Sequence, residues 1–195
     1  MARPVAVAIT GGIGAGKSEA LEAFARRGIP ILSSDEIVHR LLREDDEVRA
    51  AIAERFGDDV LDESGAVDRA KVGSIVFADA VALTWLEALL HPRAVREYAA
   101  WREELGRGSD PPPVVAVEIP LLYETGGEAR FDRVVVITAP PEVRTGRARV
   151  PGDGRERRLL PDEEKVARAD FAYVNDGSLE ELDAFVGDVI DRLAR

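Results

Sequence analysis

The chain has 195 residues, 46% of them hydrophobic and 32% charged, which suits one compact domain with a sizeable core. Its net charge of −11 argues against nucleic acid or anionic membrane as partners, and the absence of cysteine excludes disulfides, thiolate metal sites and a cysteine nucleophile. No apolar run approaches the roughly 20 residues that span a bilayer, and residues 5–9 are too short a run for a secretory signal. These features predict a soluble, cytoplasmic protein.

Short apolar runs alternate with helical patterns along the chain. The runs that predict buried strands are residues 5–10, 29–32, 114–119, 133–138 and 172–174. Helical patterns fill most of the remainder, including nearly all of residues 45–106, and a short helix is expected from Pro141. Such alternation is typical of a parallel sheet with helices on both faces. The sequence therefore predicts an α/β fold of three layers, α/β/α, with a parallel central sheet of about five strands.

The first predicted strand leads into a glycine-rich segment, residues 11–18, that matches the phosphate-binding loop (P-loop) pattern. Glycines let backbone N–H groups surround an anion at the start of a helix. A lysine here reaches the β- and γ-phosphates of a nucleotide, and the following hydroxyl binds Mg²⁺. A glycine-rich turn with an exposed lysine is the simpler alternative, but the flanking strand and helix favour the P-loop. The residues expected to bind ATP here are Gly12, Ile13, Gly14, Ala15, Gly16, Lys17 and Ser18.

Asp35 lies in the first turn of the helix that follows the second predicted strand. An acidic residue at this position stabilises a helix through the helix dipole and needs no further role. If the second strand lies beside the P-loop strand, its carboxyl end faces the bound phosphates. Asp35 could then accept a proton from a hydroxyl group during phosphoryl transfer. From the residues alone, the helix-dipole role is the favoured interpretation.

His91 lies between two helical patterns, residues 80–90 and 93–105. Because a proline disfavours the helical conformation in the preceding residue, Pro92 predicts that the first of these helices ends at His91.

Glu118 is the single charged residue in the apolar run 114–119, where an unpaired charge is costly. Two interpretations stand equal. Either a backbone group or an arginine pairs with the carboxylate, or the carboxylate turns toward Mg²⁺.

Positive charge is concentrated in residues 144–158, which hold six arginines and two acidic residues. A solvated surface loop is one interpretation of this segment. The other is an arginine-bearing lid over ATP, since arginine binds phosphate bidentately and the segment's glycines allow movement.

An ordered set of motifs resembles the dephospho-CoA kinase family over nearly the whole chain. The matching segments are residues 10–18, 34–37, 89–92, 119–124, 134–136, 169–171 and 175–177. That family transfers the γ-phosphoryl group of ATP to the 3′-hydroxyl of dephospho-CoA, the last step of coenzyme A synthesis. The resemblance implies ATP and dephospho-CoA as substrates, Mg²⁺ as cofactor, and a monomer or weak homo-oligomer.

The resemblance also assigns roles to individual residues. It implies that Asp35 is the catalytic base, which reverses the interpretation from the residues alone. Lys17 and Arg147 match positions that stabilise the transferred phosphoryl group. The remaining implied contacts are Asn175 and Gly177 for ATP, His91, Pro120, Leu121, Leu122 and Glu124 together with Asp35 for the second substrate, and Ser18 and Glu118 for the metal.

The implied organisation is a single domain over residues 1–195. Its core is 1–35 and 110–195, its helical substrate region is about 36–109, and its short lid is about 144–160. Two departures from the family pattern stand out. Ser33 takes a position where the family often has Asp, and residues 150–160 form a shorter lid, with Leu160 in place of a common glutamine.

Two alternative functions follow from these observations. The chain could be a P-loop kinase for another small acceptor, or a nucleotide-binding paralogue whose catalysis is weakened by the short lid.

Overall fold

A computed structural model describes residues 3–147 and 159–193 of the chain. Strands and helices alternate as predicted in the first and last parts of the sequence. The strands are β1 (Val5–Gly11), β2 (Ile31–Ser33), β3 (Val114–Glu118), β4 (Arg133–Thr138) and β5 (Phe171–Val174). The helices are α1 (Lys17–Arg26), α2 (Ser34–Glu44), α3 (Asp46–Phe56), α4 (Arg69–Ala78), α5 (Ala80–Arg107), α6 (Pro141–Arg147), α7 (Asp162–Arg168) and α8 (Leu179–Leu193).

The chain divides into two compact units. The sheet unit consists of Met1–Ser33 together with Trp101–Arg195, and the helical unit consists of Ser34–Ala100. The helical unit thus interrupts the sheet unit between the end of β2 and the last turns of α5.

All five strands of the sheet unit are parallel, in the order β2-β3-β1-β4-β5. This confirms the predicted α/β fold with a five-stranded parallel sheet. The condition considered for Asp35, that the second strand lies beside the P-loop strand, is not met, because β3 separates β2 from β1. The chain returns after the helical unit, and β3 fills this position.

The sheet is apolar because it is covered on both faces. One face packs under α1 and α8, where Phe24, Leu182 and Val186 are fully buried. The other face packs against the turn that follows β3, through Leu122 and Tyr123. Strands buried on both faces lose the alternation of apolar and polar residues, which explains the continuous apolar runs in the sequence.

The helical unit has its own apolar core. Ile37 of α2 and Ile52 of α3 are fully buried, and Val72 of α4 is nearly so. Phe56 and Trp85 meet edge to face, with ring centroids 5.3 Å apart, a geometry that aromatic rings favour. Aliphatic side chains and this aromatic pair therefore form the core of the unit.

The prediction of two helices separated at His91 is wrong, because α5 continues through Pro92 without a break. A proline inside a helix removes one backbone hydrogen bond and crowds the carbonyl four residues earlier. In the turn before the proline, the Arg93 guanidinium donates to the Leu89 carbonyl oxygen at 2.9 Å. Pro92 removes the N–H that would donate to the Ala88 carbonyl oxygen, so the Arg93 bond is an additional contact in this turn and does not replace the lost one.

Part of the predicted lid, residues 148–158, lies outside the described residues. Among the helices that the structure does describe, none combines the length and apolar character needed to cross a bilayer.

Candidate active site

The P-loop begins where β1 ends, and its first glycine is required by the sheet. Gly11 pairs with Ile137 of β4 and has φ +149°. A Cβ atom on Gly11 would lie 1.9 Å from the Ile137 carbonyl oxygen, well inside van der Waals contact. Only glycine therefore lets β1 stay paired with β4 at the point where the loop starts.

The loop then turns into α1 through two left-handed glycines, Gly14 with φ +73° and Gly16 with φ +98°. Lys17 is the first residue of α1, and its Nζ donates to the Gly12 carbonyl oxygen at 2.9 Å. The helix N-terminus and the lysine bring positive charge to the same loop, as binding of an anion requires.

Asn175 supports the P-loop from the end of β5. Its side chain is almost fully buried, and Nδ2 donates to the Ala15 carbonyl oxygen at 2.9 Å. Its backbone N–H donates to the Thr138 carbonyl oxygen at 2.7 Å, which fixes it to the end of β4. The neighbouring Gly177 lies in the bend before α8. The structure thus brings Asn175 against the P-loop.

Ser18 and Glu118 lie together at the carboxyl ends of the central strands. The Ser18 hydroxyl donates to Glu118 Oε1 at 3.3 Å, and Glu118 as a residue is 8% exposed. Glu118 is the last residue of β3 and pairs in register with Ile9 of β1 and Ser33 of β2. A hydroxyl and a carboxylate are oxygen ligands of the kind that Mg²⁺ prefers.

No group of three or more acidic or histidine side chains suited to a metal occurs within residues 3–147 and 159–193. A magnesium ion that accompanies a nucleotide needs only one or two protein ligands, since phosphate oxygens and water complete its shell. The donors at Ser18 and Glu118 therefore fit such an ion.

Two of the predicted site residues lie in the helical unit. Asp35 is the second residue of α2 and is exposed, and His91 is exposed in the middle of α5. Burial and the positive charge of Arg69 lower the pKa of His39, one turn beyond Asp35 on α2. His39 therefore loses its proton more readily than an ordinary histidine.

The segment after β3 is tied to the end of β1. The Thr10 hydroxyl donates to the Pro120 carbonyl oxygen at 3.3 Å. Leu122 is fully buried against the sheet, whereas Leu121 is partly exposed. This arrangement holds the backbone of residues 119–122 next to the strand that carries the P-loop.

Glu124 forms a buried ion pair that the sequence did not reveal. Lys165 of α7 is fully buried, and its Nζ lies 2.8 Å from Glu124 Oε1. The backbone N–H of Leu160 donates to the same oxygen at 2.9 Å. The Glu124 side chain is only 10% exposed, so the pair fastens the start of α7 to the segment after β3.

Arg144 is a second residue that sequence reasoning did not single out, because it stood among six arginines. It lies on α6 beside the P-loop and forms an ion pair with Asp162, the first residue of α7, at 3.1 Å. Arg147 is the last residue of α6, and its side chain lies outside the described part of the chain.

We predict that replacing one partner of the Glu124–Lys165 pair destabilises the fold more than replacing both partners. Glu124→Gln or Lys165→Met leaves one buried charge without its partner and should lower the free energy of unfolding by about 3–5 kcal/mol. The double variant should recover most of this loss. Unfolding in urea measures all three. Glu103→Gln is the matched control, because its exposed pair with Arg107 contributes less than about 1 kcal/mol. Additive losses in the double variant would contradict the pairing.

Comparison with known proteins finds relatives over nearly the whole chain. The family model for dephospho-CoA kinase matches residues 5–181. A dephospho-CoA kinase from Mesorhizobium japonicum is 42% identical over 197 residues, which cover 97% of this chain and 96% of that protein.

Two solved structures are also similar over the whole chain. A crystal structure of a Thermus thermophilus protein has a TM-score of 0.80 and 35% identity, covering 98% of this chain and 99% of that one. Dephospho-CoA kinase from Campylobacter jejuni has a TM-score of 0.69 and 26% identity, with 98% of each chain covered. With its P-loop, its five-stranded parallel sheet and these full-length relatives, the chain belongs to the dephospho-CoA kinase family.

Proposed function

We propose that this protein transfers the γ-phosphoryl group of ATP to the 3′-hydroxyl of dephospho-CoA, giving coenzyme A and ADP. In this reaction the acceptor oxygen forms a bond to the γ-phosphorus, and the bond between that phosphorus and the β–γ bridging oxygen breaks. The proton of the acceptor hydroxyl leaves to a base. The observation that carries the proposal is family membership over nearly the full chain, combined with an intact P-loop at the end of β1.

The P-loop is proposed to hold the phosphates of ATP. Backbone N–H groups of residues 12–18 and the N-terminus of α1 attract the anion, and Lys17 supplies a full positive charge. Arg147 is proposed to contact the transferred phosphoryl group, and Asn175 and Gly177 to lie beside the adenine. Since phosphoryl transfer needs mainly positioning and neutralised charge, these contacts are the main contribution of the sheet unit.

Ser18 and Glu118 are proposed to hold the magnesium ion that accompanies ATP. When bound, Mg²⁺ neutralises charge on the β- and γ-phosphates. The 3.3 Å contact between the Ser18 hydroxyl and the Glu118 carboxylate supports this role, because it brings two oxygen ligands together at the end of β3.

Asp35 is proposed as the general base. Its carboxylate is exposed, so an acceptor hydroxyl can reach it. Its place in the first turn of α2, directly after β2, keeps it on a rigid element. The acceptor substrate is proposed to bind through the helical unit, with His91, and through Pro120, Leu121, Leu122 and Glu124. Because Glu124 is paired with the buried Lys165, its role in this group of residues is to hold the segment after β3 in place.

The protein is further proposed to act in the cytoplasm, as a monomer or a weak homo-oligomer. Its acidic composition and lack of cysteine support the compartment.

The function is tested by ADP release with ATP and Mg²⁺, with and without dephospho-CoA, and by mass measurement of the product. We expect ADP to form only with the acceptor and coenzyme A to appear in equal amount. Equal ADP release in both samples would indicate an ATPase with poor coupling to its acceptor. Bound ATP without ADP release would favour a nucleotide-binding paralogue, and activity only with another small acceptor would favour a different kinase.

Asp35→Asn is predicted to bind ATP with unchanged affinity and to lower turnover by ~10²-fold or more, because the amide cannot take the proton. Rates of coenzyme A formation and an ATP titration measure the two effects. Glu36→Gln is the matched control, since it removes the neighbouring exposed carboxylate of α2. An undiminished rate in Asp35→Asn would remove Asp35 from the mechanism.

Glu118→Gln is predicted to raise the Mg²⁺ concentration needed for half-maximal rate by roughly tenfold or more, because an amide is a weaker ligand than a carboxylate. A glutamine can still accept the Ser18 hydrogen bond, so the fold should be kept. Glu22→Gln on the exposed side of α1 is the control. If the Mg²⁺ requirement stays at its original value, Glu118 serves the fold alone.

A further inference from the structure

Arg144 packs directly on the P-loop, in a space that exists because two loop positions are glycines. A Cβ atom on Gly12 would lie 2.7 Å from Arg144 Nη1, and a Cβ atom on Gly14 would lie 2.9 Å from the Arg144 carbonyl oxygen. Gly12 is not in the left-handed region of backbone conformation. What glycine provides at position 12 is therefore room for a guanidinium group.

Asp162 holds the guanidinium in this position. Arg144 Nη1 donates to Asp162 Oδ2 at 3.1 Å, and a Cβ on Gly12 would also lie 3.3 Å from Asp162 Oδ1. Asp162 is the first residue of α7, whose start is fastened by the Glu124–Lys165 pair and the Leu160 N–H. The two side chains are 31% and 21% exposed, so the ion pair holds the arginine at a place that a ligand can reach.

We propose that Arg144 is an additional phosphate-binding residue for ATP and that Asp162 is its positioning residue. This inference rests on the proposed function, because it assumes a nucleotide in the P-loop. A guanidinium beside Gly12 lies at the loop that surrounds the phosphates, and arginine forms charge-assisted bidentate bonds to phosphate oxygens. Lys17 also bonds to the Gly12 carbonyl oxygen, so a lysine and an arginine lie at one residue of the loop.

A surface ion pair that merely joins α6 to α7 is the competing explanation. Such a pair adds little stability, because solvent screens it and two long side chains must be ordered. It also gives no reason for Arg144 to lie against the loop backbone. The two explanations differ in what they predict for ATP binding.

The test compares Arg144→Gln with the parent in two measurements. Calorimetric titration with ATP and Mg²⁺, without acceptor, measures the phosphate contact even if the acceptor is not dephospho-CoA. Steady-state rates then give KM for each substrate. We expect the dissociation constant and the KM for ATP to rise roughly tenfold or more, while the KM for dephospho-CoA and the melting temperature stay unchanged. The ATP affinity of Arg144→Lys should lie between that of the parent and that of Arg144→Gln, because lysine keeps the charge and loses the bidentate geometry.

Arg133→Gln is the matched control. Arg133 forms a similar exposed pair with Asp170, at 3.7 Å, but it lies at the first residue of β4, the end of the strand away from the P-loop. Unchanged ATP affinity in Arg144→Gln, or an equal loss in Arg133→Gln, would overturn the proposal. An equal loss of affinity for adenosine would also overturn it, because the contact would then be to the base or ribose.

Asp162→Asn tests the positioning role. We expect a smaller rise in KM for ATP than in Arg144→Gln, with little change in kcat, and no further rise when the two substitutions are combined. Asp162→Glu, which keeps the carboxylate, should recover part of the affinity. Additive effects in the double variant would show that Asp162 acts separately from Arg144 and would overturn its positioning role.

Discussion

The parallel pairing of β1 with β3 on one side and β4 on the other is the constraint on which the candidate site depends. Because all three strands are parallel, their carboxyl ends lie at one edge of the sheet. The P-loop follows β1 at this edge, and Glu118 and Pro120 lie at the end of β3. Gly11 lies so close to Ile137 that β1 and β4 leave no room for a side chain at position 11. Any side chain at position 11 would separate the two strands and move the loop away from its supports.

The second requirement is to fix α6 and α7 relative to that edge, and buried charge does this. Burying Lys165 and Glu124 costs desolvation energy, which their attraction offsets only when geometry and further hydrogen bonds are good. An apolar pair of similar size could stabilise the fold as well. A charged pair adds specificity, because each charge is stabilised only by an opposite charge at the correct distance. The gain in this protein is a defined place for Asp162, and through it for Arg144.

Periodicity and turn residues were enough to predict the five strands and most helices, because burial on both faces and capping are local signals. The order of the strands in the sheet could not be predicted in the same way. Nothing local in β2 shows that it pairs with β3 and not with β1, since that order depends on a chain return some 80 residues later. The unbroken α5 was missed for a similar reason, because tertiary packing overrides the local preference set by Pro92. The partners of Glu118 and Glu124 are likewise distant in sequence, and a lone acid in an apolar run shows only that some partner exists.

Ser33 changes the charge at this edge of the sheet. It lies opposite Glu118 on the neighbouring parallel strand, at the position where the family often has Asp. With a serine there, the pair of Ser33 and Glu118 carries one carboxylate instead of two, so the repulsion of an anion at this edge is weaker. With one carboxylate fewer, fewer oxygen ligands are left for a metal ion, so metal binding depends more on Glu118. The same edge gains positive charge from Lys17 and Arg144. The attraction for an anion at this edge therefore comes from side chains that the fold already holds in place.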